Sequence, residues 1–317
     1  MFSACGVIVC LKMNRVVDRI LREHGIPKNN VAHVKSTNDE HLFFVNDGYV
    51  LRVTEGNNDA QVTRLERIES LDSVQKMLFH GRLESEDCSY VLCEKLKGVD
   101  FLEAVSAMSP RQCRELGADV AIFLDALHAI TGLGYDIGHY IPIVPRYEGS
   151  WRQGHVKYWE QIKMSLAKIE VKPGNQKVLD EAFEYLYSNE EALDFQQGPV
   201  LLHNDLHPQN MIVDNAVLSG VIDWECSQFG EPDFELCHFV HWGLYPPESG
   251  VDLKPFLRSL VEKMPKCAQV PDLFERLTLY QIEHEMMQMV WSKGKTQDER
   301  IPRLIGWMDG RVGRLFN

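Results

Sequence analysis

The stretch VLLHNDLHPQNMIVDNAVLSGVIDWECSQFGEPDFEL, residues 200–236, constrains this 317-residue chain more than any other. It opens on a short apolar run, Val200-Leu201-Leu202, of the kind that forms a buried strand. His203-Asn204-Asp205 follows, and four residues, Leu206 to Gln209, separate Asp205 from Asn210. Two further strand-like runs, Met211–Val213 and Leu218–Ile222, read as a hairpin, and the second delivers Asp223. A strand end, a loop and a returning hairpin therefore bring two carboxylates and one carboxamide towards one place.

Asp and Asn are favoured turn residues, so any one of the three is explained by backbone punctuation. All three at this spacing, each beside a strand-like run, are better explained by chemistry. Phosphoryl transfer asks a protein for a carboxylate that orients the attacking hydroxyl and for oxygen ligands that hold Mg²⁺ against the phosphates. An Asp, four residues, an Asn and then a second Asp is the order in which kinases supply them. Magnesium takes a few hard protein oxygens and fills its remaining positions with phosphate and water.

The rest of the chain sorts into two parts. Val31–Val34, Leu42–Val45, Tyr49–Val53, Met77–Phe79 and Tyr90–Glu94 read as strands, with Asn46-Asp47-Gly48 as a hairpin turn and a helix over 60–71. After Gly98 the pattern becomes helical. Ser109-Pro110 is a helix start, and Leu116, Val120, Phe123, Leu124 and Leu127 keep helical spacing. Further helices are expected near 151–168, 174–189, 252–263, 272–292 and 298–315, around the strand-rich insert 199–222. A β-rich part followed by a larger helical one predicts an α+β chain of two lobes, 1–95 and 96–317, hinged at about 94–98. Met1–Leu11 is apolar but too short for a membrane span and lacks a preceding basic region. Met13 reads as an alternative start, with Asn14 capping a helix whose Val16, Val17, Ile20 and Leu21 share one face and which ends at Gly25.

Charge and cysteines narrow the class. The net charge of −13 makes nucleic acid and anionic membrane poor partners and is compatible with a cationic substrate. Eight scattered cysteines form no CxxC and no zinc-finger pattern with histidine, which predicts neither a disulfide framework nor a structural zinc site and fits a cytoplasmic location.

HNDLHPQNMIVD followed by VIDWE and FGEPDFEL resembles the catalytic loop and metal-binding segment of the aminoglycoside phosphotransferase and choline kinase superfamily. YVLRV at 49–53, LKGVDF at 96–101 and ALHAI at 126–130 agree with it. The resemblance implies a bilobal protein-kinase-like fold that phosphorylates a hydroxyl with ATP or GTP and Mg²⁺. By position, Asp205 would be the catalytic base, Asn210 and Asp223 the Mg²⁺ ligands, and His203 a brace for the loop. The Glu94 carbonyl and Leu96 amide would meet the adenine edge. Arg52 stands where the family usually has Lys and would face the phosphates, paired with Glu66 or Glu69, of which Glu66 is favoured. The nucleotide loop would fall at 35–40, with Ser36 and Thr37 as phosphate contacts, although that loop contains no glycine.

No long activation segment and no Ala-Pro-Glu landmark follows Asp223, which counts against a protein kinase. The acceptor is expected over Asp205, with Glu231, Glu235, Trp242 and Glu283 as candidates to hold an ammonium group. Each of these four also reads as core or as an ordinary helix face. An aminoglycoside-like acceptor leads, ahead of choline, sugars, homoserine and macrolides. The competing class is a catalytically silent relative that binds nucleotide or a partner; Arg52 and the glycine-free loop favour it, and the intact Asp205/Asn210/Asp223 set opposes it.

Overall fold

A computed structural model describes residues 4–36, 39–139, 144–246 and 251–316. The chain divides into two compact units, residues 1–70 with 74–97, and residues 71–73 with 98–317.

The first unit is a helix on a sheet. Helix α1 (Ala4–Glu23) carries Met13, Val16, Val17, Ile20 and Leu21 at helical spacing on one buried face. It ends in a Schellman motif: Ile26 N–H bonds to Leu21 O, Gly25 N–H bonds to Arg22 O, and Gly25 takes φ +66°. The helix runs through Asn14, so Asn14 is not the cap expected of it.

Five antiparallel strands complete this unit: β1 (Val31–Ser36), β2 (Glu40–Val45), β3 (Tyr49–Glu55), β4 (Met77–Leu83) and β5 (Cys88–Glu94), in the order β1-β2-β3-β5-β4. Phe43, Val45, Leu51, Val53, Tyr90 and Leu92 join the α1 core. Because side chains alternate, Arg52, aligned with Leu42 and Val91, points to the opposite face. Helix α2 (Asp59–Arg67) is shorter than the expected 60–71, and residues 71–73 belong to the second unit, where Val221 N–H bonds to Ser73 O at 2.9 Å.

The second unit begins with β6 (Val99–Asp100), α3 (Phe101–Val105) and α4 (Pro110–Leu127). Helix α4 starts on a complete capping box between Ser109 and Gln112, with Pro110 at its first position. Next come β7 (Tyr135–Ile137), β8 (Val144–Tyr147), α5 (Trp151–Leu166) and α6 (Asn175–Ser188). The central insert is β9 (Val200–Leu202), β10 (Met211–Asp214), β11 (Val217–Val221) and β12 (Gln228–Gly230). Helices α7 (Cys237–Leu244), α8 (Lys254–Lys263), α9 (Leu273–Trp291), α10 (Gln297–Met308) and α11 (Arg311–Phe316) close the unit. The single helix expected over 298–315 is two, broken where Gly310 adopts φ +75°. Gly98 is needed where it stands: at φ +110°, a Cβ there would lie 2.1 Å from the Val213 carbonyl oxygen of β10.

Helix α9 is buried on nearly every side and carries Arg276, Glu283, His284 and Glu285 into the core. Arg276 makes a two-pronged bond to the Asp233 carboxylate at 2.7 and 2.9 Å and also donates to the carbonyls of Ala192 and Phe195. Cys88, Cys93, Cys113, Cys226, Cys237 and Cys267 are free thiols. No described helix is long and apolar enough to cross a membrane.

Candidate active site

The insert folds so that its ends meet. Strands β9 and β12 pair antiparallel, with Leu202 opposite Gln228 and Val200 opposite Gly230. Between them β10 and β11 form a hairpin closed by Asn215 and Ala216, both at positive φ. Met211 lies opposite Val221, and the pairing extends one step further as Ile222 N–H bonds to Asn210 O at 3.0 Å. That last bond sets Asp223 beside the loop bearing Asp205 and Asn210. Asp223 itself turns the chain at φ +65° into a short 3-10 turn, Trp224–Cys226.

Asp205 and Asn210 are joined directly. The Asn210 side-chain amide donates to the Asp205 backbone carbonyl at 2.8 Å and reaches its carboxylate at 3.5 Å. With its nitrogen committed there, the atom Asn210 offers a metal is its amide oxygen. Burial first, then the negative charges of Asp223 and Glu225, push the Asp205 carboxyl up to about 7, against the pull of the Asn210 bond. Clustered carboxylates beside a hard amide oxygen are a donor set that fits a divalent magnesium ion.

Beneath the loop lies a layer of buried supports. His203 donates through Nε2 to Ile222 O at 2.8 Å and accepts the Asp205 N–H at Nδ1, 3.3 Å, which defines a neutral imidazole. Burial holds its pKa down at about 4. Glu235 accepts the backbone N–H groups of His203 (2.7 Å) and Asn204 (3.1 Å), and burial raises its carboxyl to about 7 despite those two bonds. His238 Nε2 meets Asn204 O at 3.1 Å, holding a residue at φ +61°. On the other side His207 approaches the Asp205 carboxylate at 3.9 Å and stacks on Trp242, centroids 5.1 Å apart and planes 4° from parallel.

Three of the four expected acceptor residues are therefore engaged elsewhere. Glu235 supports the 203–210 loop from below. Glu231 is buried, bonded to Tyr135 Oη and to the N–H groups of Gln197 and Gly198, so it braces the chain entering β9. Glu283 is buried among His139, His155 and the Trp159 indole. Burial alone would raise Glu283, but its two histidine partners, His155 foremost, bring it down to about 2. None of the three offers a carboxylate to a ligand; only Trp242, half-buried, lies beside the loop.

In the first unit, Arg52 forms an ion pair with Glu40 at 3.5 Å on the sheet face away from α1, while Glu66 lies exposed on α2. The Glu94 carbonyl accepts the Gln75 side-chain amide at 3.0 Å, which occupies one of its two lone pairs. Glu94 N–H bonds to Lys76 O, and Leu96 follows beyond the end of β5. Ser36 is the last residue of β1; Thr37 lies outside the described residues. Sequence reasoning missed the supporting roles of Glu235 and His238. Their separation of three residues is the one signal present, and it is shared by many helices.

A profile of the phosphotransferase enzyme family matches residues 33–268. No curated protein matches the sequence. Among solved structures, aminoglycoside phosphotransferase APH(2'')-Ib with ADP is 19% identical, with 95% of this chain and 98% of that one aligned at TM-score 0.63. A thermostable mutant of aminoglycoside phosphotransferase APH(4)-Ia, in a ternary complex with AMP-PNP and hygromycin B, is 19% identical over 94% and 98% at TM-score 0.64. The streptomycin–ATP complex of APH(2")-IIa is 18% identical over 92% and 95% at TM-score 0.63. At this identity the likeness is one of fold.

Proposed function

Because the chain belongs to the phosphotransferase enzyme family, we propose that this phosphotransferase is a Mg²⁺-dependent small-molecule kinase whose catalytic base is Asp205. The acceptor hydroxyl oxygen attacks the γ-phosphorus of ATP or GTP, the β–γ bridging bond breaks, and the hydroxyl proton passes to the Asp205 carboxylate. The observation that carries this reading is the lock of Asn210 onto Asp205, with Asp223 close enough to raise the Asp205 pKa. Asn210 and Asp223 would hold the Mg²⁺, which when bound supplies positive charge against the phosphates. In the metal-free site burial and the neighbouring carboxylates hold the Asp205 carboxyl near neutrality, and bound Mg²⁺ would draw it down towards the ionised form that a base needs.

Donor recognition is proposed for Arg52, Ser36, Thr37 and the backbone of Glu94 and Leu96, with Glu66 as the helix carboxylate. Support comes from the placement of Arg52 on the sheet face opposite the α1 core. For the acceptor, aminoglycosides are the first class to test, since solved structures of similar fold hold hygromycin B and streptomycin. Recognition would begin with the Trp242–His207 stack beside Asp205. The buried state of Glu231, Glu235 and Glu283 means that any ammonium group must be held by other residues.

The test is Mg²⁺-dependent consumption of ATP and GTP against aminoglycosides, choline, sugars and amino alcohols, with neutral and anionic polyols as contrast. Stimulation by an acceptor, abolished in Asp205→Ala, supports the assignment. Near-wild-type turnover in that variant would sink it.

A further inference from the structure

The most unusual chemistry outside the catalytic loop lies in the core between the β7 loop, α7 and α9. His139, Cys237 and His284 are all buried there, and each offers one donor atom within 4.8 Å of the other two. They come from three separate elements, so their convergence is a product of tertiary folding and has no sequence spacing. We propose that His139, Cys237 and His284 form a binding site for a borderline-soft divalent metal ion, zinc in the first instance. The proposal is independent of the phosphotransfer reading.

Four features of the site support a metal. First, one sulfur and two imidazole nitrogens are the donors that zinc prefers over magnesium. Second, His139 is oriented as metal-bound histidines are: its Nε2 donates to the Glu283 carboxylate at 3.0 Å, which leaves the Nδ1 lone pair 3.8 Å from Cys237 Sγ. Third, Gln281 Nε2 donates to Cys237 Sγ at 3.2 Å, a bond that strengthens as the thiol becomes a thiolate. Fourth, the positive charge of a divalent ion would be met by the Cys237 thiolate and by the Glu283 carboxylate behind His139.

Metal–ligand lengths of about 2.3 Å for sulfur and 2.0–2.1 Å for nitrogen set donor atoms roughly 3.3–3.8 Å apart, so side-chain rotations of about an ångström suffice to close the site. Binding forms metal–sulfur and metal–nitrogen bonds and releases the Cys237 thiol proton to solvent. The consequence reaches the catalytic loop. Cys237 adjoins His238, which holds Asn204 O, and follows Glu235 by two residues, which holds the His203 and Asn204 amides. The ion would tie the start of α7 to α9 and so fix the floor of that loop.

Full-length protein is produced in zinc-supplemented medium, desalted and analysed for metal; a cobalt-substituted preparation is then examined by absorption spectroscopy. The expectation is about one equivalent of zinc and, with cobalt, an intense near-ultraviolet sulfur-to-cobalt charge-transfer band. Cys237→Ser and His284→Gln lose both, whereas Cys267→Ser, which alters a buried thiol outside the cluster, retains both. Magnesium chemistry at Asp205 produces no such band. Wild-type protein without zinc and without the band overturns the proposal, as does metal content unchanged in Cys237→Ser. If Cys237→Ser does not fold, the wild-type spectrum and His284→Gln decide.

Discussion

The layer beneath α1 and the core around α9 are two ways of burying a helix. Helix α1 presents an apolar stripe to an apolar sheet face, and its far side is wet. Helix α9 is enclosed, and it brings Arg276, Gln281, Glu283, His284 and Glu285 into the interior with partners from α5, α7, α10 and the turn at Asp233. The first packing is non-directional and tolerates small changes of shape. The second depends on each polar group finding its partner, because an unpaired buried charge costs several kcal/mol. The second also fixes geometry, and the 203–210 loop stands on it through Glu235 and His238.

The largest effect should appear where that support meets chemistry. Asp205→Ala is expected to lower turnover by about 100- to 10,000-fold, the range for loss of a general base. Its thermal midpoint should hold or rise, since the substitution removes a carboxylate that burial and Asp223 oppose. Parallel kinetics and thermal melts check both halves, and a fall in stability equal to the fall in rate would contradict them.

Next is Arg276→Ala, which strands the Asp233 carboxylate in the interior and should cost about 3–5 kcal/mol in denaturant unfolding. A loss below about 1 kcal/mol, the scale of an exposed ion pair, would erase the contrast between the two cores.

Acid should act on the second unit through histidines held neutral by burial. His203 is held at about 4, and His128 and His241 at about 3. These values lie below the unfolded value of about 6.5, so at pH between them the unfolded chain binds more protons than the folded one. Stability contributed by the neutral rings is therefore complete above about pH 6.5 and declines as pH falls towards 4, while Asp205 and Glu235, held near 7 and so above their unfolded values, act in the opposite sense over the same window. Urea midpoints at pH 7.5, 6, 5 and 4 in wild type and in Asp205→Ala separate the two: the variant, freed of one opposing carboxyl, should lose stability with acid more steeply than wild type, and an equal or shallower slope would refute the account.

Smallest is Ile20→Val in α1, expected to cost about 0.5–1.5 kcal/mol with turnover unchanged. If it cost as much as Arg276→Ala, the α1 layer would be as specifically packed as the polar core.

Legibility followed the same division. The α1 face, the Asn46-Asp47-Gly48 hairpin and the Ser109-Pro110 helix start were readable because each depends on residues within a turn or two of one another. So was the Asp205/Asn210/Asp223 set, since one strand, one loop and one hairpin carry all three. Glu231, Glu235 and Glu283 misled because a carboxylate's sequence position does not say whether its partner is a ligand or a buried amide. Tyr135 lies 96 residues from Glu231, and His155 lies 128 from Glu283. The break at Gly310 was missed because the apolar period continues across it.

The sequence by itself determined the family, the α+β plan and the bringing together of Asp205, Asn210 and Asp223, all consequences of short-range order and spacing. Only the tertiary structure decided which buried polar groups would meet: Glu235 under the loop, Glu283 between two histidines, and His139, Cys237 and His284 together. Those meetings depend on how distant elements pack, and side-chain pairing across about 30 to 145 residues leaves no periodic trace in the chain.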